Sequence, residues 1–270
     1  MAFYGGRGRG WFMDRGSPLS VLEIIKSGTL DLRLASLLWV IMERRASVLV
    51  AAGPSMAGKS TTLNVLIDFM RPEIKQIELQ GDDEDFSFLK SAKPANTYLV
   101  AAEFSNHGPY VWGDVAIKAF ELLSQGYGLG GTIHARTAEE VIGILNEYLG
   151  LDAPTIGHID VIVTLLVTRG RSYDAEPVRR INSVSLVLPR KDGLSLAILA
   201  RPVSNGTELE IADQKDLQTA LSTKLNIKAG SIAPEMEERE QFLRKLLDSG
   251  KVSRDEVRQA VVEFYKAHPA

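Results

Sequence analysis

Gly53-Pro54-Ser55-Met56-Ala57-Gly58-Lys59-Ser60 is the stretch that decides how this chain is read. It satisfies the pattern G-x-x-x-x-G-K-[ST] at every fixed position. The run before it, Ser47-Val48-Leu49-Val50-Ala51-Ala52, is apolar and β-branched and predicts a buried strand. The run after it, Thr61 to Phe69, spaces apolar residues three and four apart and predicts a helix. Strand, glycine loop and helix together make an anion site, because loop N–H groups and the helix N-terminus face the same point. Gly53, Pro54, Ser55, Met56, Ala57, Gly58, Lys59, Ser60 and Thr61 are therefore the candidate nucleotide-binding residues. Lys59 would reach the β- and γ-phosphates of ATP, and the Ser60 hydroxyl would hold Mg²⁺. The bland alternative is a glycine-rich turn with an incidental lysine.

Composition narrows the classes around this stretch. The chain has 270 residues, 45% hydrophobic and 24% charged, which is ordinary for a globular protein with a sizeable core. That length suits one large α/β domain with a small appendage. A net charge of −3 gives no reason to expect nucleic acid as a partner. The absence of cysteine excludes disulfides, thiolate metal sites and cysteine nucleophiles. The longest apolar runs, Leu34–Met42 and Val161–Val167, fall short of the ~20 residues a bilayer-spanning helix needs. Arg7 and Arg9 are followed by no apolar core of the signal-peptide kind. A cytoplasmic protein is expected, with peripheral attachment at the inner face of a membrane, through a partner, left open.

Residues 1–17, rich in glycine and arginine, read as a flexible lead. Helices are expected from Pro18 to Ile25 and from Gly28 to Met42, the second with Leu34, Leu37, Leu38 and Ile41 on one face as core. Strands are expected over 47–52, 74–79, 97–103, 129–134, 159–168 and 180–188. Helices are expected over 59–70, 112–125 and 136–149, with a turn near 154–158. This alternation predicts a mostly parallel sheet with helices on both faces. Arg190-Lys191-Asp192-Gly193 between apolar runs reads as a hairpin turn. Residues 201–230 are polar and mixed, and 201–270 reads as a small appendage ending in helices over Glu235–Leu247 and Ser253–Tyr265. Ser253 with Glu256 is a capping box for the last helix.

Hydrolysis of a bound nucleotide also needs an acid at the end of a strand near the loop. Thr97–Glu103 supplies one in Glu103, which would act as catalytic acid and complete the Mg²⁺ shell; a surface acid at a strand end is the plainer reading. Gly130-Gly131-Thr132-Ile133-His134-Ala135 ends a second strand in a histidine among small residues that let a backbone or phosphate come close. His134 could donate to a γ-phosphate or to the glutamate. A structural or solvated histidine is the alternative. Glu78 ends a third strand. The acids Asp82–Asp85 behind it suit either a solvated loop or a water-mediated contact to Mg²⁺.

Taken together, these segments resemble the secretion traffic ATPases, the RecA-like hexameric motors of type II and type IV secretion, pili and archaella. The resemblance runs from about Pro18 to Ala200, more weakly through the terminal helices. Val100–Glu103 resembles their Walker B strand and Gly126–Ala135 their histidine box. It implies a RecA-like P-loop core over 18–200 binding ATP and Mg²⁺, with Glu103 as catalytic acid, His134 as γ-phosphate sensor and Glu78 supporting them. It also implies a homo-oligomer such as a hexamer, working against an inner-membrane secretion or pilus platform protein. The chain departs from the family pattern in places. Ala102-Glu103-Phe104-Ser105-Asn106 lacks the arginine of the family's Walker B segment, and Leu79 stands where an aspartate is usual. Only 24 residues lie between Glu78 and Glu103, so the longer connection that carries catalytic arginines in the family is missing. Arginine fingers are worth about 10³–10⁵ in rate, so slow or partner-dependent hydrolysis, or a nucleotide switch without turnover, is the competing expectation.

Overall fold

The computed structural model describes residues 19–168, 176–203, 209–228 and 230–269. The expected flexible lead, with Arg7, Arg9 and Arg15, lies outside the described residues.

Local chemistry sets the first helices. Ser20 and Glu23 form a reciprocal capping box at the start of α1 (Val21–Lys26). The Asp31 carboxylate accepts the Leu34 N–H at 2.7 Å and caps α2 (Leu32–Glu43). Leu34 through Met42 are all buried, so α2 is a core helix with apolar groups around its circumference. The chain then enters β1 (Val48–Ala51), turns through the glycine loop and continues as α3 (Lys59–Asp68). β2 (Lys75–Glu78), β3 (Thr97–Phe104), α4 (Gly113–Glu121), β4 (Gly128–Ile133), α5 (Ala138–Glu147), α6 (Ala153–Ile156) and β5 (Val161–Thr168) follow. β6 (Val178–Arg190) and β7 (Gly193–Pro202) form the expected hairpin. β8 (Leu209–Ile211) and the helices α7 (Gln214–Leu225), α8 (Ile232–Asp248) and α9 (Arg254–Ala267) close the chain.

The described strands form one sheet in the order β2-β3-β4-β1-β5-β6-β7-β8. β2, β3, β4, β1 and β5 are parallel; β6, β7 and β8 extend the sheet as an antiparallel meander. The fold is thus α/β, with a mixed, mostly parallel sheet and helices on both faces. Side chains alternate between two cores, as the strand period requires. Val48, Val50 and Ala52 face the core under α1, α2, α3, α8 and α9, while Leu49 and Ala51 face the core under α4, α5 and α6.

Trp39 of α2 anchors the C-terminal helices. Its ring stacks 5.0 Å from Phe69 and lies 4.9 Å from Phe264, and its indole N–H donates to the Tyr265 hydroxyl at 2.7 Å. That hydroxyl donates to the Phe69 carbonyl at 2.6 Å, so the Trp39 N–H and the Tyr265 hydroxyl are both satisfied inside this apolar cluster. Glu43 beside it takes both Arg71 and Arg239. The capping box of Ser253 and Glu256 forms as expected. Within the polar stretch 201–230 the structure adds β8 and α7, the latter capped by Asp213, which accepts from the Lys215 and Asp216 N–H groups. α7 buries only Leu217 and Leu221, too thin an apolar stripe to stand out as periodicity. Among the described residues no helix is long and apolar enough to cross a membrane.

Candidate functional site

The sheet order builds the site. β4 lies between β1 and β3, so the glycine loop leaving β1, the end of β3 and the end of β4 meet at one carboxyl rim. A parallel α/β sheet places its ligands at such a rim. Lys59 stands at the first position of α3, Glu103 near the end of β3 and His134 one residue past β4.

The three side chains converge. Lys59 Nζ lies 3.2 Å from His134 Nε2 and 3.7 Å from Glu103 Oε2, and His134 Nε2 lies 3.3 Å from Glu103 Oε1. His134 Nδ1 sits 3.2 Å from the Gly53 carbonyl oxygen, which can only accept. Nδ1 therefore carries a proton. In the neutral ring Nε2 then accepts from Lys59; in the protonated ring it donates to Glu103. Burial pulls the Lys59 ammonium below its usual range, and the Glu103 carboxylate opposes that shift. Lys59 is 6% exposed, so this cation is held in the protein and aimed from it.

Glu103 reaches the cluster through an irregularity in β3. Ala101 pairs with Gly131 but Phe104 pairs with Ile133, so β3 carries one residue more than β4 across this step. Such a bulge shifts the alternation by one and re-aims a side chain. Phe104 thereby joins the same core as Leu99 and Ala101, which strict alternation would forbid, and Glu103 is turned out of it toward the loop. The Thr132 hydroxyl donates to the Ala102 carbonyl at 2.7 Å and pins the irregular step to β4.

The loop itself carries two left-handed residues and leaves backbone donors open. Gly58 caps α3 at φ 91°, and Met56 is also left-handed at φ 59° and 87% exposed. Among the described residues no acceptor meets the backbone N–H groups of Gly58, Lys59, Ser60 or Thr61; the first helical bond runs from Thr62 N–H to the Gly58 carbonyl. Ala57 is 1% exposed, and its N–H closes the turn at Ser55–Met56 without a hydrogen bond of full geometry. Ser60 is exposed, and its hydroxyl has no hydrogen-bond partner among the described residues. Mg²⁺ bound with a nucleotide takes few protein ligands. A free hydroxyl at Ser60 with Glu103 nearby fits that need. Among the described residues no group of three or more His, Asp or Glu side chains could hold a metal alone.

The other candidates fall elsewhere. Glu78 stands at the end of the edge strand β2, in register with Val100, three residues short of Glu103 on β3. Within Asp82–Asp85, Asp85 accepts the Ser87 N–H at 2.8 Å, and Glu84 next to it accepts the Gln80 and Phe86 N–H groups. Those two acids therefore shape the turn. The glycines before His134 make room for aromatic side chains, where the sequence suggested a backbone or a phosphate. A Cβ on Gly128 would lie 2.4 Å from the Tyr98 ring, one on Gly130 2.9 Å from it, and one on Gly131 2.4 Å from the Phe104 ring.

Two arginines beside the loop are absent from the sequence reading. A Cβ on Gly53 would lie 2.9 Å from Arg136 Cγ, and one on Gly58 would lie 3.3 Å from Arg179 Cδ. Arg179 Nε also donates to the Met56 carbonyl at 3.1 Å. Arg136 follows His134 by two residues, a hint that sequence could carry. Arg179 lies 119 positions beyond Ser60, and no local pattern links them.

Comparison with known proteins adds the following. No family model matches the chain. An uncharacterized protein of Methanocaldococcus jannaschii, MJ1287, is 23% identical over 278 aligned positions, covering 91% of this chain and 98% of that one. A second uncharacterized protein of that organism, MJ0900, is 26% identical over 151 positions, covering 48% of this chain and 26% of that one. Among solved structures the chain is similar to the VirB11 ATPase of the Brucella suis type IV secretion system, at 20% identity and a TM-score of 0.40 over 60% of this chain. It is also similar to the pilus retraction motor PilT with bound ADP, at 14% identity and a TM-score of 0.37 over 84% of this chain. The Legionella pneumophila ATPase DotB gives 12% identity and a TM-score of 0.37 over 83% of this chain. The chain spans 54%, 60% and 63% of the length of those three structures, respectively.

Proposed function

We propose that this chain binds ATP with Mg²⁺ at the glycine loop and hydrolyses it as a motor ATPase of the secretion and pilus-assembly kind. The observation that carries the proposal is the convergence of Lys59, Glu103 and His134 at the rim of a loop whose N–H groups from Gly58 to Thr61 meet no acceptor among the described residues. The likeness of Gly126–Ala135 to the histidine box of the traffic ATPases directs the reading toward that family within the many phosphate-loop proteins. In this reading 18–200 is the motor core and 201–270 its appendage. The working form is a homo-oligomer, a hexamer in the family it resembles, acting on a membrane platform protein.

The residues divide the work by chemistry. The loop N–H groups and the start of α3 bind phosphate oxygens. Lys59 exchanges Glu103 for the β- and γ-phosphates, an ammonium moving from one anion to a stronger one. That exchange frees the Glu103 carboxylate to orient a water and take its proton. His134, fixed by Nδ1–H on the Gly53 carbonyl, donates to the terminal phosphate from Nε2 in its doubly protonated form. Mg²⁺ held by Ser60 would neutralise charge developing on the phosphate oxygens. Glu78 supports the rim from β2.

Phosphate release and nucleotide binding are the tests, with Lys59→Ala and Glu103→Gln as controls. Glu103→Gln should keep binding and lose about 10²–10⁴ in rate, the usual contribution of a general base. Lys59→Ala should lose binding. A wild type that releases phosphate no faster than Glu103→Gln removes the motor and leaves a nucleotide switch. A wild type that binds no ATP or ADP removes both.

A further inference from the structure

Arg179 reaches the glycine loop from the far side of β1. In sheet order β5 and then β6 follow β1, and Ala51, the last residue of β1, pairs with Thr164. The β5–β6 ladder continues past that point, with Leu165 opposite Ile181 and Val167 opposite Arg179. These pairs rise above the rim where the parallel strands stop, which sets the Arg179 side chain against the loop. Its Nε–H donates to the Met56 carbonyl at 3.1 Å, and its Cδ lies 3.3 Å from where a Gly58 Cβ would stand.

The consequence follows from peptide geometry. A trans peptide is planar, so the Met56 carbonyl and the Ala57 N–H point in opposite directions. Fastening the carbonyl toward β6 turns the Ala57 N–H away from β6, into the concavity of the loop. That N–H is buried, and within the turn at Ser55–Met56 it makes no hydrogen bond of full geometry. Met56 is left-handed although it is not glycine, a conformation that persists only where surroundings enforce it. The Arg179 side chain is bonded to the carbonyl of this residue.

We propose that Arg179 is a positioning residue of the phosphate loop: by clamping the Met56 carbonyl it aims the Ala57 N–H at the bound nucleotide's phosphates and ties β6 to nucleotide binding. The proposal rests on the nucleotide reading above. It assigns to β6 a role that the missing arginines of the β2–β3 connection do not cover, since Arg179 acts on the loop backbone.

The test is a titration of the full chain with a fluorescent ADP analogue and Mg²⁺, alongside thermal melting without nucleotide. Arg179→Ala should weaken binding about tenfold to a hundredfold, the range of one charge-assisted hydrogen bond, with the nucleotide-free melting temperature unchanged. Arg179→Lys keeps the charge and loses the Nε–H, and should also bind several-fold less tightly than wild type. Hydrogen exchange of the peptide covering 53–60 should show nucleotide-dependent protection in wild type and its loss in Arg179→Ala. If Arg179→Ala is poorly folded, Arg179→Lys decides. Wild-type affinity in either folded variant overturns the proposal while leaving nucleotide binding intact. Failure of the wild type to bind the analogue, with Lys59→Ala behaving identically, overturns the nucleotide reading itself.

Discussion

Gly131→Ala probes the contact that sets Glu103 in place. A Cβ on Gly131 would stand 2.4 Å from Phe104 Cε2, 2.9 Å from its Cδ2 and 3.4 Å from Ala101 Cβ. Carbon atoms pack best at about 3.5–4.0 Å, so the Phe104 ring must move by about 1 Å. It has little room, being 2% exposed and held with its centroid 4.9 Å from that of Phe120. Overpacking of this kind costs about 1–3 kcal/mol. Replacing glycine inside a strand returns about 0.5–1 kcal/mol, because alanine loses less backbone entropy. The difference is a loss of about 0–2.5 kcal/mol, and the 2.4 Å approach to a buried ring places it in the upper part, about 1–2 kcal/mol, which in a chain of this size lowers the melting temperature by roughly 2–8 °C. Thermal and urea unfolding read it directly. A cycle with Phe104→Leu isolates the contact: the double variant should be more stable than the sum of the singles predicts by about 1 kcal/mol. Phe104 is covalently next to Glu103, so Gly131→Ala should also slow any phosphate release. A Gly131→Ala protein that melts with the wild type, or that is additive with Phe104→Leu, would refute the account of the β3–β4 contact.

Two further outcomes follow from buried charges. Lys224 Nζ donates to the Gly157 carbonyl at 2.5 Å and pairs with Asp160 at 3.3 Å, with Lys224 8% and Asp160 18% exposed. Lys224→Met leaves that carboxylate buried without its cation and should destabilise by about 3 kcal/mol in urea unfolding, with part recovered in Lys224→Met/Asp160→Asn. At Lys59 burial lowers the native pKa below 10.5, so between the lowered value and 10.5 the unfolded chain holds more protons there than the native one. Stability contributed by this group therefore rises as pH climbs through that alkaline window. The stability of wild type relative to Lys59→Met should shift in favour of wild type across it and stay flat at neutral pH; a flat difference throughout would remove the burial argument.

Much of the site was legible because its signals are local. The glycine loop, the strand before it and the helix after it are defined by residues within about two turns of one another. Glu103 and His134 could be picked out because each follows an apolar run of strand length. The capping box at Ser253 needs only a partner three residues away. α7 escaped because its core contact is confined to Leu217 and Leu221. The glycines of β4 were visible as glycines, but their purpose depends on the rings of Tyr98 and Phe104, which belong to another strand.

Residue pattern along the chain carries the α/β alternation, the glycine-loop motif with Lys59 and Ser60, and the two strand-end candidates Glu103 and His134. Only the tertiary structure decided that β4 lies between β1 and β3, which turns three separate residues into one cluster with contacts of 3.2–3.7 Å. It also decided the extra residue in β3 that releases Glu103 from the core, and the passage of Arg179 across β5 to the loop. The physical reason is the range of the forces involved. Helix periodicity, capping and loop geometry are settled between near neighbours along the chain. Which strand lies beside which, and in what register, is settled by burial of both sheet faces at once, a property of the whole molecule.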